Sequence, residues 1–299
     1  MSTTVRATGD PAEFKATVFP FLQRDPVLNS VILTNTEDRI RGILHDSAPP
    51  VFLSVHDDPG EVVGAVMCTP HRGIYLGAFP DALVPAIVGP AAELAPNRDV
   101  VEGTATAAGL FADLFSVRRS PAVTIPPGSL RGSTSADGRA TFRQARGTRL
   151  HKLIHFVEQT AHGSARLAVA DDLELATQLL GAYGAELGDS LPPFEEKRWV
   201  EARIKLGRLW LWENDGRVVS LVGHQSAVFG ATRVGPVYTP AADRGHGYAS
   251  ALTAYVTQRI LASGSEACLY TDLANPTSNK IYAAIGYEPV ADFLAYEFN

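Results

Sequence analysis

The stretch RGHGYASAL, Arg244 to Leu252, decides how this chain is read. Gly245 and Gly247 stand one residue apart and lead into a helix-forming run. In that run Tyr248, Leu252, Tyr255, Val256 and Ile260 fall close to one face. Upstream, ATRVGPVYT (231–239) reads as a strand and Pro240–Asp243 as a short connection. The order is strand, glycine loop, helix. At such a helix start the first amides have no intrahelical acceptor and the macrodipole places partial positive charge there, which favours an anion. The glycines let a ligand approach the backbone without Cβ interference. A tight structural turn accounts for two glycines equally well.

The residues that discriminate lie downstream. Gly264 sits where a helix ends, ACLYTDL (267–273) reads as a buried strand, and Asn275-Pro276 supplies an N-cap followed by Pro at the first helical position. The helix TSNKIYAAI then stops at Gly286, and YEPVADFLAYEF supplies the closing strands. Competing phosphate motifs fit poorly. A dinucleotide fingerprint needs its first glycine directly after the strand and a third glycine where this chain has Ser250. The Walker pattern GxxxxGK[ST] does not occur.

Arg244-x-x-Gly247-x-Ala249, followed by Asn275, Tyr282 and Gly286-Tyr287, resembles the two signatures of the GCN5-related N-acetyltransferase (GNAT) superfamily. The resemblance is clearest over residues 231–290, and the upstream helices and hairpin extend it to about 165–299. It implies acetyl-coenzyme A as co-substrate, with its pyrophosphate on the amides of Arg244, Gly245, His246, Gly247, Tyr248, Ala249 and Ser250. It also implies that Val237, Tyr238 and Thr239 pair through their backbone with the pantetheine arm, and that Asn275 contacts that arm. Tyr282 is implied as the catalytic acid beside the leaving thiolate, a role suited to a phenol with an ordinary pKa of about 10.

The general base stays open. The strand position five residues before Asn275, a Glu in some superfamily members, is Tyr270 here. Asp272, Glu213, His224 and a water chain are the alternatives. His151 and His155 are spaced i, i+4, but HExxH is absent and no third ligand accompanies them, so no metal is expected.

Working outward, LWLWENDGRVVSLVGHQS (209–226) has a counterpart in VFLSVHDDPGEVVGAVMCTP (51–70): two β-rich runs around an acidic-glycine turn. Helices precede each hairpin, and strand and helix alternate after it. The reading is a diverged tandem repeat. The expected fold class is α/β, an α+β mixed sheet: two tandem GNAT-like domains, each a central mixed, mostly antiparallel sheet flanked by helices. The expected domains are 1–160, degenerate, and 161–299, the acetyltransferase domain. After GIYLGAF the first half has Pro80-Asp81-Ala82-Leu83, with no glycine pair and no arginine, so no cofactor loop is expected there.

At the N-terminus PAEFKATVFPFLQRDPVLNSVILTNTEDRIRG (11–42) reads as helix broken at Pro20 and Pro26. Residues 126–139 read as a polar loop, and positive charge collects at Arg131, Arg139, Arg143, Arg146, Arg149 and Lys152, as a solvated rim or a site for an anionic partner.

The 299 residues carry a net charge of −6, which argues against a nucleic-acid partner. Two distant cysteines without CxxC fit a reducing compartment. No signal peptide and no membrane span are read, so a cytoplasmic protein is expected. The function expected is acetyl-coenzyme A-dependent acetyl transfer to a primary amine of a small molecule or peptide. The alternative is a non-catalytic acyl-coenzyme A-binding or regulatory protein, against which Tyr282 argues. Acceptor specificity is expected around Asp189, Glu195 and Glu196.

Overall fold

A computed structural model describes residues 2–70, 72–119, 142–188 and 193–298. The expected loop 126–139, with Arg131 and Arg139, and the position Asp189 lie outside the described residues. The chain forms two compact units, Met1–Arg149 with Ala291–Asn299, and Leu150–Val290.

In the first unit β1 (Thr4–Thr8) precedes α1 (Pro11–Leu22) and α2 (Ser30–Ile40). The hairpin β2 (Val51–His56) and β3 (Val62–Thr69) follows, then β4 (Gly73–Gly77), α3 (Val84–Leu94), β5 (Val100–Thr104) and α4 (Ala105–Arg119). The sheet runs β1-β2-β3-β4-β5, antiparallel except for the parallel pair β4–β5. The end of the chain completes it: in β12 (Tyr287–Phe298), Phe293 to Glu297 pair antiparallel with Thr104 to Val100. Its core holds Leu53, Val66, Ile74, Phe111, Phe115 and Phe298, all buried. Pro20 does not break α1. It lies in the last turn, two residues before Leu22 ends the helix.

The second unit starts within β6 (Phe142–Leu153) and continues with β7 (Ser164–Leu167), α5 (Leu173–Leu187), α6 (Pro193–Lys205), β8 (Leu209–Asn214), β9 (Arg217–His224), β10 (Ala231–Tyr238), α7 (Tyr248–Ala262), β11 (Glu266–Asp272) and α8 (Pro276–Ile285). The strand order is β7-β8-β9-β10-β11-β6, with only β10–β11 described as a parallel pair among β7 to β11. The β8–β9 turn has Asp215 at φ 49° and Gly216 at φ 73°, the two left-handed residues of a type I′ hairpin. One face of the sheet packs on α7 and α8 through Trp210, Val222, Val234, Leu252 and Tyr282. Leu211, Leu221 and Tyr238 pack with Leu180 and Val200 of α5 and α6. The two units repeat one element order, as the matching hairpins imply, and each is a mixed, mostly antiparallel sheet flanked by helices.

The described basic residues of β6 each meet an acid. Arg143 bonds Glu297, Arg146 reaches Glu102 at 3.4 Å, Arg149 holds Asp292 at 2.6 and 2.8 Å, and Lys152 meets Glu266 at 2.7 Å. The strand therefore presents compensated charge. Among the described residues no helix is long and apolar enough to cross a membrane.

Candidate active site

β10 and β11 begin as a parallel pair, Ala231↔Glu266 through Val234↔Leu269, and the pairing ends there. On its other edge β10 stays bonded to β9 through Val237↔Val222 and Tyr238↔Leu221, with an irregularity between Val234 and Val237. Gly235, at φ 140°, lies within that irregularity. Ala231, Thr232 and Val234 are buried, whereas Gly235, Pro236 and Val237 are only half-buried, as are Tyr270 and Asp272 on β11. The β10–β11 ladder thus ends in the middle of the sheet while both strands run on, which leaves a slot between Gly235–Tyr238 and the end of β11. In the first unit the equivalent strands close: β4 pairs with β5 to its last residue, Gly77↔Gly103. Leu76 Cβ lies only 2.9 Å from where a Cβ on Gly103 would stand.

The glycine loop lies at the mouth of the slot. Tyr238 ends β10, a short 3-10 turn spans Ala241–Asp243, and Gly247 is the N-cap of α7. Gly245 and Gly247 have φ of 83° and 81°, conformations that L side chains rarely adopt. A Cβ on Gly247 would meet nothing nearer than Ala161 and Thr160 at 3.7 Å, so the requirement for glycine is conformational. No side chain caps α7, and the first intrahelical acceptor is the Gly247 carbonyl, taken by Ala251. The amides of Tyr248, Ala249 and Ser250 are therefore left without intrahelical partners at an exposed, positively polarised helix end.

Side chains on both flanks fix this loop. Asp243 is buried and accepts from Arg217, at 3.0 Å for Nη1, and its carbonyl meets His246 Nδ1 at 3.2 Å. Arg244 Nε donates to the Thr239 carbonyl at 2.9 Å, and its Nη2 donates to both carboxylate oxygens of Glu186, at 2.8 and 2.6 Å. The Tyr248 ring turns into the core and stacks on His246, and its hydroxyl accepts from Asn214 at 3.1 Å. Along the slot wall, Thr239 donates to Ser220 Oγ, which in turn donates to the Tyr238 carbonyl, both at 3.0 Å.

Asn275 caps α8, accepting from the amides of Thr277 at 3.1 Å and Ser278 at 3.2 Å. Tyr282 is buried and its ring meets Tyr287 edge-on at 6.2 Å. Its hydroxyl makes no hydrogen bond among the described residues, and burial pushes its pKa up, so it stays protonated at neutral pH. Gly286 ends α8 at φ 104°. A Cβ there would stand 1.6 Å from the His155 carbonyl, so glycine is required by both conformation and space.

The open candidates for a base differ. Glu213 is paired with Arg166 at 2.7 Å, and Asp272 uses Oδ1 to hold the Ala274 amide at 2.7 Å. His224 Nδ1 lies 3.0 Å from the Gln225 carbonyl. Donating there, it leaves Nε2 with the lone pair. Burial lowers the His224 pKa, which keeps the ring neutral. By strand alternation His224 shares a face with Val222, which packs in the same cluster as Tyr282. His151 bonds Thr271 Oγ1 at 3.1 Å, and among the described residues no group of His, Cys, Asp and Glu is placed to hold a metal. Glu196 is buried, packed on α5 at Gly181. The sequence reading missed Glu186 and Ser220. An acid in the last helical turn, where the dipole disfavours it, was the signal for Glu186.

A family model described as FR47-like protein matches residues 215–294, which span the slot, the loop and Tyr282. No curated protein matches the chain. Solved structures match along nearly the whole length. An acetyltransferase from the GNAT family of Colwellia psychrerythraea is 12% identical, with 99% of this chain and 100% of that one covered and a TM-score of 0.56. A GCN5-related N-acetyltransferase from Sphaerobacter thermophilus is 17% identical, with 98% and 94% covered and a TM-score of 0.59. A tandem GNAT protein from the clavulanic acid biosynthesis pathway is 13% identical, with 100% and 98% covered and a TM-score of 0.60. The chain has the fold of the GCN5-related N-acetyltransferases, in a tandem arrangement.

Proposed function

We propose that the second unit binds acetyl-coenzyme A and transfers its acetyl group to a primary amine of a small molecule or peptide. The observation that carries this reading is the slot, where the pairing of β10 with β11 ends at Val234↔Leu269 although both strands continue. An extended, amide-bearing chain fits such an opening as an added strand does. The uncapped amides at the start of α7 suit a pyrophosphate at its mouth. Asn275 flanks the slot from the end of β11.

When bound, acetyl-coenzyme A supplies a thioester carbonyl as electrophile and a thiolate as leaving group. The chain supplies the rest. Tyr282 holds its proton on a hydroxyl with no competing partner among the described residues, ready to donate to developing negative charge. His224, neutral and anchored through Nδ1, is the proposed acceptor of the ammonium proton at Nε2. The first unit, whose strands stay paired to Gly77↔Gly103 and whose α3 lacks a glycine entry, takes no coenzyme A. We assign it a supporting role.

Coenzyme A release from acetyl-coenzyme A across an amine panel tests the reading, for wild type and Tyr282→Phe. Amine-dependent release that falls in the variant supports it. Release that no amine raises above hydrolysis leaves binding without chemistry as the function.

A further inference from the structure

Glu186 lies in the last turn of α5, two residues before Gly188, which ends the helix at φ 67°. A carboxylate there opposes the helix dipole. It also stands beside a loop whose exposed amides suit an anion. Both effects are unfavourable, yet three donated hydrogen bonds converge on this one carboxylate. Arg244 Nη2 reaches its oxygens at 2.8 and 2.6 Å, and the Tyr238 hydroxyl donates to Oε1 at 3.0 Å. The same guanidinium lies 5.9 Å over the Tyr238 ring and donates from Nε to the Thr239 carbonyl at 2.9 Å. The Arg244 hydrogen bond holds the Glu186 carboxyl below its ordinary pKa, so the acid is charged at neutral pH. One side chain thus joins the end of α5, the end of the slot-lining strand and the first residue of the glycine loop. The Arg244 charge is committed within the protein, which leaves the backbone amides as the groups presented to an anion.

We propose that Glu186 is a positioning residue for the acyl donor: it holds Arg244 and Tyr238 so that loop 244–250 and the edge of β10 are in binding geometry before the ligand arrives. The inference rests on the reading of this unit as a coenzyme A site. Two effects of removing the carboxylate have opposite signs. Losing loop order weakens binding. Losing a negative charge near phosphates strengthens it. In this account the first wins.

The test titrates coenzyme A into the full chain by calorimetry, wild type against Glu186→Gln, with acetyl-transfer kinetics in parallel. Expected is a Kd for coenzyme A raised about tenfold, a parallel rise in KM for acetyl-coenzyme A, and kcat and amine KM near wild type. Glu186→Asp recovers part of the loss. Equal or tighter binding by Glu186→Gln overturns the proposal, as does a fall in kcat with unchanged Kd. If Glu186→Gln fails to fold, Arg244→Gln, which keeps the acid, is expected to show the same weakening, and unchanged binding overturns the proposal. A wild type that binds no coenzyme A overturns the site reading itself and this inference with it.

Discussion

Gly247 separates a phosphate cradle from a mere turn. Its φ of 81° lies in the left-handed region, where an L residue costs roughly 1–2 kcal/mol. The space is not limiting, since a Cβ meets Ala161 and Thr160 at 3.7 Å, ordinary contact. Gly247→Ala therefore adds only conformational strain, and we expect coenzyme A binding about 5- to 30-fold weaker if the strain is relieved by leaving the binding geometry. Gly247→Glu adds a carboxylate. At a separation of about 6 Å and an effective dielectric of about 40, each phosphate charge adds ~1.4 kcal/mol of repulsion. Two such charges with the strain give about 4–5 kcal/mol, a loss on the order of a thousandfold. The melting temperature is expected to fall by only about 2–8 °C in either variant, because the position is exposed and the strain local. Calorimetric titration with coenzyme A and a thermal melt read both quantities. A Gly247→Glu variant that binds like wild type refutes the cradle and returns the loop to a structural turn.

Tyr282→Phe should lower kcat at least about 100-fold while melting at or slightly above the wild-type temperature, because it removes a buried hydroxyl with no hydrogen bond among the described residues. A drop in melting temperature with unchanged kcat would make this tyrosine a packing residue. Asn275→Ala removes two capping bonds and should cost about 1 kcal/mol, seen as a melt lowered by about 2–4 °C. No change in the melt would show the cap to be dispensable. His224 has a lowered pKa, so its basic neutral form persists as pH falls below the ordinary imidazole value of about 6.5. The acidic limb of the kcat profile should lie below that value and vanish with the bulk of activity in His224→Gln, and an unaltered profile in the variant would remove His224 as the base.

The elements around the site were legible because their punctuation is local. Gly247, Asn275-Pro276 and Gly286 each satisfy a backbone need that few residues meet, and the Asp215-Gly216 turn fixes the hairpin before it. Long-range pairing was not legible. The final residues return to β5 of the first unit, and nothing within YEPVADFLAYEF distinguishes one long strand from two short ones. The helix α4 follows β5 with no connecting residue, so VVEGT runs straight into it without a turn signal, and the short β1 has no long alternation. Within the site, the sequence placed the loop and Tyr282 but not the parting of β10 from β11, which depends on the irregularity between Val234 and Val237. Nor could it show that Arg244 turns to Glu186, a contact 58 residues apart.

The most direct test of the account is the stoichiometry of coenzyme A binding to the full chain, measured by calorimetry with the amide exchange of residues 235–239 and 245–250 followed in the same complex. The account predicts one molecule per chain and protection of both segments, since the β10–β11 pairing ends at Val234↔Leu269 while β4 stays paired with β5 to its last residue. Two molecules per chain, or binding that leaves both segments unprotected, would contradict it, and so would a chain that binds none.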